Sequence, residues 1–271
     1  MLAPINKIID FSVVDGPGNR TVVFFQGCNF NCKYCHNPET INLCNHCGLC
    51  VSQCPIGALE KRDDRVSWNP DKCVNCDNCI KACKRLSSPK IYWMTEEELA
   101  DKVIRNIPFI RGVTCSGGEC TIYKDFIIRF FGLIKGKQLS CLLDSNGGVI
   151  DFEHEPELLD LTDGVMLDIK SMDSEAHMAL TGCSNDLVIK NAIYLASIGK
   201  LTEIRTVVTE KEPSQRNTID NITKLLAPYL AIADIHYRII AFRPFGVREQ
   251  YKDLGTPSRA SLLELEDIAR K

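Results

Sequence analysis

The chain of 271 residues contains no run of eighteen or so apolar residues, so no segment is expected to cross a bilayer. It also lacks a cluster of lysines and arginines. With a net charge of −3, it carries no electrostatic footprint for nucleic acid or a membrane surface. The opening residues, Met1-Leu2-Ala3-Pro4-Ile5-Asn6, show no secretory-signal pattern, and a cytoplasmic location is expected. In that compartment disulfides do not persist, so the fifteen cysteines need another explanation. Eleven of them fall between Cys28 and Cys83 at metal-ligand spacings. The hydrophobic fraction of 45% and charged fraction of 25% are those of an ordinary globular chain. Its length allows one large domain with a small insert.

Cys28, Cys32 and Cys35 form one short loop just after the apolar run Val22-Val23-Phe24-Phe25. Three thiolates from one loop hold three corners of a four-iron cluster and leave the fourth iron open. An open iron is a place where a small molecule can be chelated and reduced. A structural zinc loop would more often draw four ligands from two Cys-x-x-Cys pairs, and buried thiols keep no fixed spacing.

Composition changes abruptly at Cys44. The run Cys44, Cys47, Cys50, Cys54-Pro55 repeats 29 residues later as Cys73, Cys76, Cys79, Cys83, the spacing of a bacterial two-cluster ferredoxin. In such modules the fourth cysteine of each run ligates the other cluster. Cys44, Cys47, Cys50 and Cys83 are therefore expected on one cluster, and Cys73, Cys76, Cys79 and Cys54 on the second. Lys84 stands where a proline usually follows the second run, which leaves the ligands intact.

The chain after residue 90 alternates strand and helix patterns. Strands are expected at Arg20–Phe25, Gly112–Ser116, Leu139–Leu143, Val165–Ile169, Leu201–Val208 and Ile235–Phe242, with Ile8 onward as a lead-in. Helices are expected from the capping box Thr95-Glu96-Glu97-Glu98, at Phe126–Ile134, Asp186–Ile198 and Thr218–Leu226, and from Ser258. Such alternation argues for parallel β/α units, an α/β fold built as an open, partial six-stranded (β/α)6 barrel. The expected divisions are residues 1–38 and 91–271 for the barrel and 39–90 for the ferredoxin-like insert.

Several strand ends carry polar or charged residues, where barrel active sites are found. Ser116-Gly117-Gly118-Glu119 follows the second strand; its glycines allow close backbone approach and Glu119 is an anionic acceptor. Asp144-Ser145-Asn146-Gly147 follows the third. Asp168 and Lys170 share one face at the end of the fourth, and Arg205 lies in the fifth. Blind to structure, Asp168 and Lys170 could equally form a core salt bridge. Cys115, Cys120, Cys141 and Cys183 fit no cluster spacing and read as small hydrophobes, and the histidines as ordinary residues.

These motifs together resemble the radical S-adenosylmethionine (SAM) enzymes, and within them the activating enzymes of glycyl radical enzymes, most of all the YjjW-type activases. The resemblance runs in order through Asp15-Gly16-Pro17-Gly18, the Cys28–Cys35 loop leading into His36-Asn37-Pro38, the eight-cysteine insert, Ser116–Glu119, Asp144–Gly147, Met166–Lys170 and Ala241-Phe242. It implies three [4Fe-4S] clusters, reductive cleavage of SAM to a 5′-deoxyadenosyl radical, and abstraction of a Cα hydrogen from a glycine of a partner enzyme. Cys28, Cys32, Cys35, Asp168 and Lys170 would be the catalytic set. Glu119 with the backbone of Gly117 and Gly118 would bind the SAM amino group, Tyr34 would lie near the adenine, and Asp168, Lys170 and Arg205 near the carboxylate and ribose. A monovalent cation is implied beside Asp144, Ser145 and Met166. Asp15 would sit near the peptide, and flavodoxin or ferredoxin would donate electrons to a monomer used anaerobically. Arg243 stands where many activases have a histidine, so a proton-transfer role there is put in doubt. A SAM-radical enzyme for small molecules, or an iron–sulfur electron carrier, are the alternative readings. The carrier reading leaves the three-cysteine loop and Ser116–Glu119 unexplained.

Overall fold

A computed structural model of the protein describes residues 1–212 and 214–270. In chain order its elements are β1 (Ala3–Ser12), β2 (Arg20–Phe25), β3 (Leu59–Arg62), β4 (Arg65–Trp68), α1 (Asn78–Lys81), β5 (Tyr92–Met94), α2 (Glu96–Ile104), β6 (Gly112–Gly117) and α3 (Lys124–Lys135). Then follow β7 (Ser140–Ser145), α4 (Pro156–Leu161), β8 (Gly164–Asp168), α5 (Ser174–Thr181), α6 (Asp186–Ser197), β9 (Leu201–Val208), α7 (Gln215–Leu226), β10 (His236–Ala241) and α8 (Arg259–Ala269). Eight strands form one sheet in the order β10-β9-β8-β7-β6-β2-β1-β5. The six from β2 to β10 are parallel neighbours, as the β/α alternation predicts.

Their apolar runs are buried nearly end to end (Val22-Val23, Leu142-Leu143, Val165 to Leu167), the pattern of a parallel sheet covered on both faces. Helix α3 lays Phe126, Ile127, Phe130, Phe131 and Ile134 against it, each fully buried aromatic contributing about 2–3 kcal/mol of transfer free energy. The capping box at Thr95 forms as expected: Glu98 N donates to Thr95 Oγ1 at 3.2 Å and Thr95 N to Glu98 Oε2 at 2.9 Å.

Two strands of the large sheet were not expected. The lead-in is a ten-residue strand, β1, antiparallel to β2, and β5 pairs antiparallel with β1 beyond it. Polar Asn6, Lys7 and Asp10 and an irregular burial pattern hide β1 from a periodicity reading. The six-stranded barrel is thus extended along one edge, and Phe25 and Tyr92 flank Ile5 from opposite sides. Among the described residues the other edge is open, since β10 pairs only with β9.

Between β2 and β5 the segment carrying the eight-cysteine repeat leaves and returns through a narrow stem. Ser88 N donates to Glu39 O at 2.9 Å, Asn42 N to Leu86 O at 3.0 Å, and Asn42 Nδ2 to Arg85 O at 2.7 Å. Beyond the stem, the β3–β4 hairpin and α1 pack Cys50, Leu59, Val66 and Cys79 into a small core of their own.

At the opposite end of the barrel Arg20, 1% exposed, closes the bottom of the sheet. Its Nε donates to Thr114 Oγ1 at 2.8 Å, Nη1 to Ser140 Oγ at 2.9 Å, and Nη2 to Val113 O and Ser140 O at 2.7 and 2.9 Å. Burial lowers its pKa to about 10, which leaves it charged at neutral pH. Arg20→Ala strands two buried carbonyls and is expected to cost about 3 kcal/mol. A melting temperature of the reconstituted protein lower by about 5–10 °C would match that figure, and an unchanged one would contradict it.

Candidate active site

The C-terminal ends of all six parallel strands open into one cavity of about 400 Å³. Phe24 of β2, Ser116 and Gly117 of β6, Asp144 and Ser145 of β7, Asp168 of β8, Arg205 and Val207 of β9 and Ile240 of β10 all line it. Cys28, Cys32, Tyr34, Cys35, Gly118, Asn146, Lys170 and Asp15 also line it. The expected site residues therefore converge from separate strands, with two exceptions, Glu119 and Met166.

The three-cysteine loop is fastened to its surroundings by backbone bonds: Gly27 N to Thr40 O at 2.7 Å, Cys28 N to Ile41 O at 2.9 Å, Asn31 N to Thr181 O at 2.8 Å and Lys33 N to Leu180 O at 2.9 Å. Burial raises all three thiol pKa values, Cys32 to about 12 despite the nearby Lys170 ammonium. Without a bound cation these groups stay neutral thiols; a metal core would deprotonate them and supply the missing countercharge. Among the described residues only Asp151, Glu153 and His154 bring three ligand atoms within 4.8 Å of one another; no cysteine trio does.

Lys170 Nζ bonds Asp168 Oδ2 at 2.7 Å and lies 5.8 Å from the Tyr34 ring centroid. Burial is the largest single influence and opposes its charge, but Asp168, Tyr34 and Cys32 together outweigh it and the pKa rises. Salt bridge and cavity wall are thus the same pair. The Tyr34 hydroxyl is buried with no partner, an orphaned donor beside the cysteines. Gly117 and Gly118 lie against the loop's own backbone: Gly118 N donates to Phe25 O at 3.0 Å and Glu119 N to Gly27 O at 2.8 Å.

Glu119 departs from expectation. It is fully buried behind the wall, its Oε1 accepting from Thr121 N, Thr121 Oγ1 and Ser145 Oγ and its Oε2 from Asn146 N at 2.7 Å. Those four donors leave its carboxylate bracing the β7 end, and in this structure it offers no oxygen to the cavity. Burial raises its pKa against those hydrogen bonds. Asp144 and Ser145 lie inside β7 rather than after it. Burial, partly offset by Arg205, pushes Asp144 up to about 6.

Sequence reasoning quoted Asn146 and His36 within motifs without giving them a role, and missed Arg248. Asn146 Nδ2 donates to Asn29 Oδ1 at 2.8 Å and lies 3.7 Å from Cys28 Sγ. His36 lines the cavity, with Nε2 2.9 Å from Arg243 O. Arg248 Nη2 donates to Asn31 O and Cys32 O at 3.1 and 2.8 Å, clamping the loop from the chain after β10. None of these has a spacing signal; each meets its partner only through the fold. Of the four remaining cysteines, Cys115, Cys120 and Cys141 are fully buried and Cys183 is half-buried, donating to Asn29 O.

In the eight-cysteine segment, Cys44, Cys47, Cys50 and Cys83 line one cavity of about 200 Å³. Cys54, Cys73, Cys76 and Cys79 line a second of about 20 Å³. The 29-residue repeat extends to the backbone: His46 and Asn75 take φ of 58° and 54°, and Gly48 and Asp77 take 89° and 60°.

Residues 22–220 match the radical SAM superfamily model, and the chain belongs to that superfamily. Among its relatives is the pyruvate formate-lyase-activating enzyme of Streptococcus mutans, 29% identical over 93% of this chain and 82% of that one. The indoleacetate decarboxylase activating enzyme of Tractidigestivibacter scatoligenes is 29% identical over 98% of this chain and 94% of its own. SuiB of Streptococcus suis, solved with the precursor peptide SuiA, shares the fold at a TM-score of 0.56, with 14% identity over 91% of this chain and 44% of that one. Among the described residues no helix is long and apolar enough to cross a membrane.

Proposed function

We propose that the chain is a radical SAM activase that removes a Cα hydrogen from a glycine of a partner glycyl radical enzyme. The observation that carries it is the convergence of three thiols, a glycine pair and the Asp168, Lys170 and Arg205 charges on one cavity. The relatives named as activating enzymes, matched over most of both chains, support a protein substrate. Cys28, Cys32 and Cys35 would hold the SAM-binding [4Fe-4S] cluster. When bound, the reduced cluster and SAM supply the electron and the 5′-deoxyadenosyl fragment that takes the glycine hydrogen.

The chain's own residues bind and orient. Backbone groups of Gly117 and Gly118 would face the SAM amino group, with Glu119 holding the adjoining turn. Lys170 and Arg205, both kept charged by neighbouring acids, would meet the carboxylate and ribose together with Asp168. Tyr34 offers its unpartnered hydroxyl near the adenine. Asp15, held by Ser12 Oγ at 2.5 Å, would sit near the incoming peptide. The two crossed cysteine quartets would hold the second and third [4Fe-4S] clusters of a ferredoxin-like insert; the paired cavities and repeated backbone support that pairing. Flavodoxin or ferredoxin would be the donor, to a cytoplasmic monomer working without oxygen.

The test is anaerobic. Reconstituted protein with dithionite and SAM should form 5′-deoxyadenosine and, with a candidate glycyl radical enzyme, a glycyl doublet by electron paramagnetic resonance. Cleavage without a doublet from any such partner would move the reading to a small-molecule substrate. Loaded clusters without cleavage would sink both.

A further inference from the structure

The chain after β10 runs back over the cysteine loop. Gly246 is pressed so close that an added Cβ would lie 2.3 Å from His36 O, and His36 Nε2 lies 2.9 Å from Arg243 O. Val247 packs with Tyr34, Leu180 and Phe242 in a small buried cluster. Further on, Glu210 N and Lys211 N donate to Gly255 O and Leu254 O at 2.9 and 3.1 Å, which ties down the far end. Arg248 stands between these anchors, so its position over the loop is fixed by the strap that carries it.

One nitrogen of Arg248, Nη2, holds the carbonyls of Asn31 and Cys32, beside the middle ligand of the loop. Its guanidinium carbon lies 4.7 Å from the Tyr251 ring centroid. Its Nε is buried with no partner, an orphaned donor of the kind that cluster sulfur accepts. Burial raises the Cys35 pKa, and Arg248 is among the cations that oppose the rise. The other charges acting on the three thiols are Lys170, Asp168, Glu119 and Glu39. Lys170 is matched by Asp168 at 2.7 Å, whereas Arg248 pairs with no carboxylate among the described residues. Three thiols, an unmatched guanidinium and an orphaned donor fit an anionic cluster at the loop.

Resting on the activase reading, we infer that Arg248 sets the reduction potential of the cluster that Cys28, Cys32 and Cys35 would hold. Three thiolates make that core anionic, and the electron it accepts adds to the charge. A fixed cation and an N–H donor beside the sulfur ligands favour the more negative form and raise the potential. Arg248 is a positioning residue: it acts through the loop it holds, not on SAM.

The experiment is a redox titration of the anaerobically reconstituted protein with dithionite and mediators, followed by electron paramagnetic resonance. The open cluster is told from the insert pair by the change that added SAM makes to its signal. At the solution potential that half-reduces it in the wild type, Arg248→Met should show a reduced-to-oxidised ratio about tenfold lower, about 59 mV for one electron. Arg248→Lys keeps the charge and should stay within about threefold of the wild type. Iron equal to that of the wild type shows that the loop still holds its core in each variant. If the methionine variant loses that iron, Arg248→Gln, which keeps one donor, replaces it. If neither neutral variant holds the iron, the lysine variant decides. A neutral variant with wild-type iron and wild-type potential makes Arg248 a mechanical clamp and overturns the inference, as does a lysine variant whose ratio falls about tenfold. Both outcomes leave the activase reading standing. A wild type with loaded clusters and no signal that responds to SAM overturns both.

Discussion

A Cys32→Ala chain, reconstituted without oxygen, is expected to hold about eight irons where the wild type holds about twelve, and to form no 5′-deoxyadenosine. The expectation follows from how little else the site has to offer. Cys32 is the middle thiol of a loop with three, it lines the cavity, and no other cysteine lines that cavity beyond Cys28 and Cys35. Two thiols do not retain a four-iron core that three already leave open. The eight cysteines of the insert face cavities of their own, so their iron should stay. Cys183→Ala is the matched control. That sulfur touches the loop through Asn29 O at 3.3 Å but lies outside the trio, and its loss should leave iron and cleavage intact. Wild-type iron and cleavage in Cys32→Ala would remove the loop from the mechanism.

Gly117→Ala should be nearly as damaging without touching a ligand. Gly117 has φ of +127°, where a side chain is strained, and an added Cβ would fall 2.2 Å from Phe25 N and 2.3 Å from Phe25 O. Those are backbone atoms of the strand that leads into the cysteine loop, and they cannot rotate aside. The strand pair β2–β6 must part or β6 must twist, and the bonds from Gly118 N and Glu119 N to that strand and loop go with it. Iron should fall toward about eight and cleavage by about a hundredfold or more, since a loop displaced by an ångström misplaces every ligand. Gly132→Ala, on the exposed face of α3 with nothing within 4 Å, should instead stabilise by up to about 1 kcal/mol. Iron analysis and a melting curve on both variants separate the two effects. Normal iron in Gly117→Ala would show that the backbone approach is not needed.

The parallel strands were legible because each is a short apolar run bounded by turns and followed by helical periodicity. The cysteine motifs were legible because thiolate ligands need fixed spacing. What escaped shares one property: its signal is spread between distant residues. β1 is half polar, and its strand character comes from lying between β2 and β5. Arg20 looks like a solvated charge until Val113, Thr114 and Ser140 close round it. Glu119 reads as a ligand to SAM because its motif says acid, yet Ser145 and Asn146, arriving from β7, claim its oxygens. Arg205 lines the cavity, while its grip on Asp144 and Met166 depends on the register of β7, β8 and β9, which no spacing encodes.

The stem below the eight-cysteine segment has a genetic consequence. Asn42 and Leu86 are hydrogen-bond neighbours, so a gene deleted of everything between them would need to rejoin two points only about 5 Å apart and would keep Thr40 and Ile41, which fasten the cysteine loop. No strand of the main sheet lies within the excised stretch, and Tyr92 would still find its place beside Ile5. A chain shortened in this way is expected to keep the register of the large sheet while losing the eight cysteines between the two ends of the stem.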